Sequence, residues 1–322
     1  MKRTACLAVL GLLSSACTSG WTGSGSTTQP IPTAQTSVSA ASQQGSFRVV
    51  ESSTGNTVSF ATLVGRAAQS DVVFFGEQHD DPETHFLEFA LLDGLGQRHS
   101  QVVLSLEMFE RDVQPQLDRY LSGAVNESTF LATARPWPRY ATDYRGMVQL
   151  ARARGWKVIA SNIPRPMATA ISRRGMRALD TLTSLERTYA AAAMVCPTTD
   201  AYFRRFGEAM GGHSAGGGPP TAADSAAAQA MTVRFYEAQC AKDETMAESI
   251  ARELMSVRGR GVVLHVNGAF HSDYGQGTAE RVRRRMADIR TLVITAVPVD
   301  NPSSAVIGTH AGKADFVIFT RR

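Results

Sequence analysis

The sequence predicts an α/β fold in which a mostly parallel β-sheet is flanked by helices and carries an inserted small all-helical subdomain. Short continuous apolar runs, among them DVVFFG (71–76) and QVVLSLEMF (101–109), are typical of strands buried on both faces of a parallel sheet. These runs alternate with segments of helical periodicity, which is the pattern of α/β proteins. Residues 166–256 break the alternation, because they contain no convincing strand and carry Ala, Met and Arg at helical spacing. They are therefore predicted to form the helical subdomain.

The first elements follow from turn and capping signals. FRVVES (47–52) and TVSFATL (57–63) flank a Ser-Thr-Gly-Asn turn, which predicts a β-hairpin. After the next strand, an Asp N-cap followed by Pro82 and an acidic residue predicts the start of a helix. The apolar residues of this helix recur at helical spacing, and it is expected to end at Gly94 or Gly96.

The rest of the chain continues the alternation of helices and strands. Further helices are predicted at 112–123, 144–155, 249–255 and 277–289. Further strands are predicted at 157–164, 262–268, 291–297 and 314–320. In open sheets of this kind ligands bind beyond the carboxyl ends of the strands, so a functional site is expected at that edge.

The N-terminus has the pattern of a targeting segment. MKRTACLAVLGLLSSAC (1–17) has a charged start, a short apolar stretch and small residues before Cys17, and it resembles a bacterial lipoprotein signal. Cys17 would then carry the lipid, and the Ser-, Thr- and Gly-rich residues 18–45 would form a flexible tether. A plainly cleaved secretory signal is the alternative. The sequence thus predicts a folded body held by a lipid anchor on the periplasmic side of the outer membrane.

Beyond the tether, an α/β domain is expected at 46–165 and 257–322, interrupted by the helical subdomain at 166–256. Cys196 and Cys240 both fall in that subdomain. Because the periplasm permits disulfides, these two residues could form a bridge. The alternative is that both are small buried apolar side chains.

Composition excludes several classes of protein. With 322 residues, 43% of them hydrophobic and 19% charged, the chain is too apolar and too weakly charged to be mainly disordered. Beyond the N-terminus it has no apolar run of the length that a membrane-spanning helix needs. The net charge is only +4, and the sequence has no basic face interleaved with aromatic residues, so nucleic acid is not an expected partner.

The strongest local signal for chemistry is Gly76-Glu77-Gln78-His79, between a buried strand and a helix. Glu77 and His79 are two residues apart, so one bend of the chain can turn both toward the same cavity. Gly76 would allow the backbone to approach closely. The alternative is that Glu77 and His79 are solvated loop residues.

Two later strands add candidates at the same edge of the sheet. Glu107 lies near the end of an apolar run, where an unpaired buried carboxylate would be costly, and a structural ion pair with Arg165 is the alternative to a functional role. His271 lies just after the strand at 262–268 and is therefore the favoured candidate. His265 lies inside that strand, which is more typical of a core histidine.

These candidates allow two kinds of chemistry. Two His and two Glu are sufficient ligands for Zn, Fe or Mn, and they are also sufficient for general acid–base catalysis without a metal. Spacing in the sequence does not choose between the two. The pocket around Glu77, His79, Glu107 and His271 is expected to be completed by Gly76, Asn162, Arg165, His265 and Tyr274.

The helical subdomain offers aromatic residues that would suit a flat apolar ligand. Tyr202 and His213 are the candidates for an iron ligand there, through a Tyr oxygen or a His nitrogen. The alternative is that Met and aromatic residues at helical spacing form core. Asp243 and Glu244 are expected to lie within a helix and to be partly solvated.

Five segments together resemble the ChaN-like haem-binding lipoproteins, in the order seen in that family. They are VVFFGEQHDDPETH, SLEMFERDVQPQLDRYL, ARGWKVIASNIPR, FYEAQCAKDETMAESIA and VNGAFHSDYGQGTAERV. The resemblance covers roughly residues 48–300 and extends to the wider group of TIKI proteases and erythromycin esterase-like hydrolases. That group shares a G-x-x-H element, a strand Glu and a late His, and Gly76 to His79, Glu107 and His271 match these elements.

The resemblance implies haem binding and iron-linked uptake, and it would allow two haems to stack between two subunits of a homodimer. The function predicted from the sequence is therefore a periplasm-facing lipoprotein that binds haem. The alternative is a metal-dependent hydrolase, an esterase or peptidase, in which Glu77, His79, Glu107 and His271 hold a first-row divalent metal or activate water.

Overall fold

A computed structural model describes residues 45–211 and 222–322, together with Val38, Ala41 and Ser42. These residues belong to one compact unit. The predicted lipidation site Cys17 and the predicted haem ligand His213 lie outside the described residues. The division into signal, tether, α/β domain and helical subdomain stays a prediction.

Eight strands form one sheet, which is mostly parallel as the sequence predicted. The strands are β1 Phe47–Glu51, β2 Thr57–Val58, β3 Val72–Glu77, β4 Gln101–Glu110, β5 Lys157–Asn162, β6 Gly261–Gly268, β7 Thr291–Val299 and β8 Phe316–Arg321. Their order across the sheet is β2-β1-β8-β7-β3-β6-β4-β5. β1 pairs antiparallel with β2 and β8, and the other strand pairs are parallel.

Helices cover both faces of the sheet. They are α1 Phe60–Ala67, α2 Pro82–Gly96, α3 Gln114–Leu121, α4 Glu127–Ala134, α5 Arg145–Arg154, α6 Arg165–Arg174, α7 Ser184–Arg187, α8 Ala201–Gly211, α9 Ala222–Val257 and α10 Gly277–Arg285. Between 166 and 256, the described residues form helices and no strand. No helix in the described part of the chain combines the length and the apolar character needed to cross a bilayer.

The hydrophobic core follows from the alternation of side chains along the strands. Val73 and Phe75 of β3 face a cluster that includes apolar residues of α2, α3 and α5. Val72 and Phe74 face the opposite side, where they pack with apolar residues of α9 and α10. The central strands are therefore buried on both faces, which explains their continuous apolar runs.

The prediction of a second hairpin strand at 57–63 was wrong, because most of it is helix α1. Only the first two residues pair with β1. Ser59 then caps the helix, since its hydroxyl accepts a hydrogen bond from the Thr62 amide at 3.0 Å. Phe60 and Leu63 of the predicted strand belong to the buried face of this helix, together with Val64 and Ala67.

The turn between β3 and α2 is tightly fixed. Asp81 is the N-cap of α2, and its carboxylate accepts hydrogen bonds from the Glu83 amide at 3.2 Å and the Thr320 hydroxyl at 2.6 Å. The helix ends at Gly96, where a Cβ would lie 1.9 Å from the Trp156 ring. Both ends of α2 are thus held, and this positions the segment that carries His79.

Cys196 and Cys240 form a disulfide with an S–S distance of 2.04 Å. The bridge ties the segment before α8 to the middle of α9. For a closed loop of 44 residues, the chain-entropy model assigns a stabilisation of about 4 kcal/mol. The prediction that Cys196 and Cys240 could form a disulfide is confirmed.

Candidate functional site

The carboxyl ends of β3, β6 and β4 carry the acidic and imidazole residues that the sequence singled out. These strands are neighbours in the sheet. Glu77 ends β3 and is in register with Gly268, which ends β6. Glu107 lies in the last part of β4, and His271 lies in the 3₁₀ turn directly after β6. All three functional side chains are buried at this one edge.

Glu77 holds His79 in a fixed orientation. Oε1 of Glu77 accepts a hydrogen bond from Nδ1 of His79 and a second from the Tyr144 hydroxyl at 2.7 Å. Burial lowers the pKa of His79, but the hydrogen bond and charge of Glu77 outweigh burial and raise the net pKa. The His79 side chain is 47% exposed, and its Nε2 has no hydrogen-bond partner among the described residues. In the neutral ring the proton stays on Nδ1, so Nε2 can offer its lone pair to a ligand.

Two glycines allow the strands and loops of this edge to approach closely. A Cβ at Gly76 would lie 2.9 Å from Cα of Ala269. A Cβ at Gly268 would lie 2.9 Å from Nε2 of His79. Larger residues at either position would push these elements apart, so Gly76 has the spacing role that the sequence suggested.

His271 lies between two buried carboxylates. Its Nε2 is 3.3 Å from Oε1 of Glu107, and its Nδ1 is 2.7 Å from Oδ1 of Asp243. Burial lowers the pKa of His271, but the two carboxylates outweigh it and raise the pKa to about 9. At Glu107, burial is outweighed in turn by His271, which holds the pKa of that carboxyl well below its usual range. At neutral pH, His271 is therefore an imidazolium that donates both N–H groups and has no free lone pair.

Asp243 and Glu244 of α9 are fully buried, so the expectation that they are partly solvated was wrong. Asp243 accepts hydrogen bonds from the Tyr202 hydroxyl at 2.7 Å and the Thr278 hydroxyl at 2.8 Å, besides the bond from His271. Glu244 is ion-paired with three arginines of α10. These partners offset the cost of burying both carboxylates. Tyr202 is itself buried, and its hydroxyl already has a partner.

Asn162 and His265 support the site from within the sheet. The Asn162 side-chain amide donates to the backbone oxygen of Glu107 at 3.1 Å. Nδ1 of His265 lies 2.8 Å from the Ser105 hydroxyl, and the ring is fully buried. Burial lowers the pKa of His265 to about 3, so it is a neutral core histidine. This is the role that its place inside the strand favoured.

Arg165 and Tyr274 lie at the surface around the site. Arg165 is 3.9 Å from Glu110 and does not form the ion pair with Glu107 that the sequence offered as an alternative. Tyr274 is exposed and has a φ of +62°. The guanidinium of Arg205 lies 5.0 Å from its ring centre.

A groove of about 700 Å³ lies beside the site, and its lining residue Trp137 contacts His79. One wall is the segment 135–138, in which Trp137 stands between two prolines. The other wall is the face of α6 that carries Arg165 and Arg173. The rings of Trp137 and His79 meet edge to face at 5.0 Å between centroids. A groove lined by apolar side chains, three arginines and Glu110 therefore lies next to a half-exposed imidazole.

Four residues near Glu77 were missed in the sequence. They are His85, Glu88, Asp143 and Tyr144, all of them buried. His85 and Glu88 are one turn apart on α2, and polar residues on the buried face of that helix are the signal that could have revealed them. Asp143 and Tyr144 come from a π-helical turn, Tyr140–Tyr144, which no local pattern in the sequence indicated. Segments with this geometry occur frequently at functional sites.

The pKa of His271 predicts how stability depends on pH. A histidine whose pKa is about 9 in the folded state and 6.5 in the unfolded state stabilises the fold below pH 6.5 and loses that contribution as pH rises through 9. The complete loss amounts to about 3 kcal/mol. We expect urea unfolding to show this loss between pH 6 and pH 10, and a His271→Gln variant to show a much smaller one. Equal losses in the two proteins would contradict the assignment.

Comparison with protein families decides the identity of the chain. A family model described as haem-binding uptake, Tiki superfamily, ChaN matches residues 63–282, well over half of the chain. The chain belongs to this family. The resemblance noted in the sequence is thereby confirmed.

Individual relatives of this ChaN-family chain support the fold. The solved structure of ChaN from Campylobacter jejuni, described by its cofacial haem binding, matches with a TM-score of 0.62 at 16% identity and covers 86% of this chain and 97% of that one. At this identity the match establishes the fold alone. An erythromycin esterase in its open conformation matches with a TM-score of 0.43 at 11% identity over 85% of this chain and 82% of that one. That likeness is too weak to carry a functional argument.

A curated relative comes from a plant. Protein RETICULATA-RELATED 5, chloroplastic, from Arabidopsis thaliana is 24% identical over 237 residues, which is 70% of this chain and 31% of the relative. The chain thus spans about a third of the length of this curated relative. The match extends the family resemblance and adds no assignment of function.

Proposed function

We propose that this protein binds haem in the groove beside His79, with Nε2 of His79 as an iron ligand, and that it serves haem uptake. Membership of a haem-binding uptake family supports the ligand. The observation that carries the location is the half-exposed His79 ring, which is held at Nδ1 by buried Glu77 and packs edge to face against Trp137 of the groove wall. Haem would be the transported ligand of this protein and not a resident cofactor.

The groove fits the chemistry of haem on two counts. Trp137, its flanking prolines and Ala170 offer an apolar surface for the macrocycle. Arg165 and Arg173 lie two helical turns apart on one face of α6 and suit the two propionate groups. Arg173 has no ion pair among the described residues, so its charge is available to a ligand.

His79 is a better candidate for an iron ligand than the two residues that the sequence suggested. Tyr202 is buried and donates its hydroxyl to Asp243, so its oxygen would have to leave that bond and reach the surface. His213 lies outside the described residues. A histidine that ligates a metal through one nitrogen commonly donates the other N–H to a carboxylate, and Glu77 supplies that carboxylate to His79.

A second part of the proposal concerns the setting of the protein. The pattern around Cys17 supports lipid anchoring on the periplasmic side of the outer membrane. The Cys196–Cys240 disulfide agrees with an oxidising compartment. Cofacial haem binding in the Campylobacter jejuni relative supports a homodimer in which two haems face each other.

Titration with haemin tests the proposal. The compact unit, residues 33–322, should give a saturable Soret shift at one haem per chain, and sedimentation should report dimerisation on loading. The absence of a saturable shift would refute haem binding.

The two arginines of the groove should matter to affinity in a way that depends on salt. Replacing both Arg165 and Arg173 with Ala should weaken haem binding about tenfold at low ionic strength, because each exposed ion pair contributes about 0.5–1 kcal/mol. The loss should shrink at 1 M salt. Arg174→Ala is the matched control, because Arg174 lies on the same helix, outside the groove lining, and bonds to Thr181. A loss of equal size in this control would show that the groove is not the site.

The family match supports haem binding and offers no support for the hydrolase alternative, so that alternative is not proposed.

A further inference from the structure

A second cluster of ligating side chains lies behind His79, in the interior. It consists of Glu77, His85 and Glu88, and one ligating atom from each residue lies within 4.8 Å of the others. All three side chains are buried. Among the described residues this is the set close enough to share a metal ion, and it differs from the predicted set of Glu77, His79, Glu107 and His271.

His85 is oriented as a metal ligand would be. Its Nε2 lies 3.3 Å from Oδ2 of Asp143 and 3.3 Å from the backbone oxygen of His79. Its Nδ1 faces the carboxylates of Glu77, at 3.6 Å, and Glu88, at 3.1 Å. A metal ion bound to Nδ1 would leave the Nε2 N–H to Asp143 and the His79 carbonyl. A carboxylate that accepts the distal N–H is the usual support of a metal-bound histidine.

The carboxylates of the cluster lack donors. Oε2 of Glu77 and Oε1 of Glu88 are buried and have no hydrogen-bond partner among the described residues. The other oxygen of Glu77 is already oriented by the Tyr144 hydroxyl at 2.7 Å. Two buried carboxyl groups and an imidazole nitrogen that face one another in the interior require either a proton or a cation between them.

A cavity of about 660 Å³ borders the cluster at His85. Asp143, Arg139 and apolar residues of α2 and α5 also line it. The π-helical turn Tyr140–Tyr144 brings Asp143 to His85 and Tyr144 to Glu77. A metal site needs ligands, oriented supporting groups and an entry path. The ligands and supporting groups are present, and an ion would enter from the side of His85.

We propose that Glu77, His85 and Glu88 form a binding site for a first-row divalent cation, separate from the haem groove. Carboxylate and imidazole ligands suit Mn²⁺, Fe²⁺ or Zn²⁺. The ion would take the place of the missing donors and fix Glu77, which in turn orients His79. The proposal does not depend on haem binding, although Glu77 takes part in both sites.

Metal binding to the haem-free protein tests the site. After treatment with chelator, the protein is titrated with Zn²⁺ and, separately, with Mn²⁺, and bound metal is counted by elemental analysis after gel filtration. We expect one equivalent per chain and a rise in the thermal midpoint on loading. Glu88→Gln keeps the shape of the side chain and should weaken binding at least tenfold, as should His85→Gln. Far-ultraviolet circular dichroism verifies that both variants fold.

Matched variants distinguish this cluster from the other carboxylates nearby. Glu83→Gln changes a carboxyl on the same helix that bonds to Ser46, outside the cluster, and should leave metal binding unchanged. Glu107→Gln should also retain the metal. No bound metal at 100 µM cation, or full binding by Glu88→Gln, would overturn the proposal. Loss of binding in Glu107→Gln alone would do so as well, in favour of the predicted set around His271.

Discussion

Replacing His79 with Ala is expected to lower the affinity for haem at least tenfold and to move the Soret maximum. The reason is that Nε2 of the half-exposed His79 has no hydrogen-bond partner among the described residues, and loss of an iron ligand changes both binding and spectrum. Haemin titration followed by absorbance measures both effects. The fold should survive, because the His79 side chain is half-exposed.

Two further variants sharpen this test. Glu77→Gln keeps the shape of the carboxylate but weakens its hold on Nδ1 of His79, and should cost about tenfold in affinity, as is common for groups that orient a metal ligand. His310→Ala removes a ring that packs against Phe319 in β8, well away from the groove, and should leave affinity unchanged. If His79→Ala binds haem as the unchanged protein does, His79 is not the ligand.

Asp243→Ala is expected to reduce the free energy of unfolding by about 3–5 kcal/mol, since it leaves a buried charge without one of its partners. The Asp243 carboxylate accepts from His271 Nδ1 at 2.7 Å, the Tyr202 hydroxyl at 2.7 Å and the Thr278 hydroxyl at 2.8 Å. All of these partners are buried. Urea unfolding at pH 7 measures the change.

Conservative and remote variants show whether the charge is responsible. Asp243→Asn keeps one acceptor oxygen and should lose less stability than Asp243→Ala. Asp180→Ala removes an exposed carboxyl and should stay within about 0.5 kcal/mol of the unchanged protein. A small loss in Asp243→Ala, similar to that of Asp180→Ala, would mean that His271 is not held by two buried carboxylates.

The sheet, and the site residues at the carboxyl ends of its strands, could be predicted from the sequence. Glu77 and Glu107 stand out because each is an acid at the end of an apolar run, and parallel strands deliver their carboxyl ends to one edge. His271 follows from the same rule. The wrong strand at 57–63 shows the limit of such patterns. A short apolar stretch fits the periodicity of a strand and that of a helix, and only the Ser59 cap distinguishes the two.

The remaining residues of the site depend on tertiary packing. Asp243 lies in the middle of a long helix, and nothing local shows that α10 will cover it and leave its carboxylate buried. His85 and Glu88 look like the polar residues of an amphipathic helix until α5 and its π-helical turn close over them. The groove joins α6 to the segment 135–138, which lies in a separate part of the sequence.

Tertiary packing also decides which histidine can bind a ligand. His271 and His79 look equivalent as candidates for chemistry in the sequence. In the structure, His271 is enclosed between carboxylates and charged, whereas His79 is half-exposed with one free nitrogen. Burial and partners, rather than residue type, decide which of them can take a ligand.

The most direct test is a crystal structure of the haem-loaded protein with the iron located by its anomalous scattering. We expect an iron peak within bonding distance of Nε2 of His79, with the macrocycle against Trp137 and the propionates toward Arg165 and Arg173. An iron peak at Tyr202, or at any position from which His79 cannot reach it, would contradict the account.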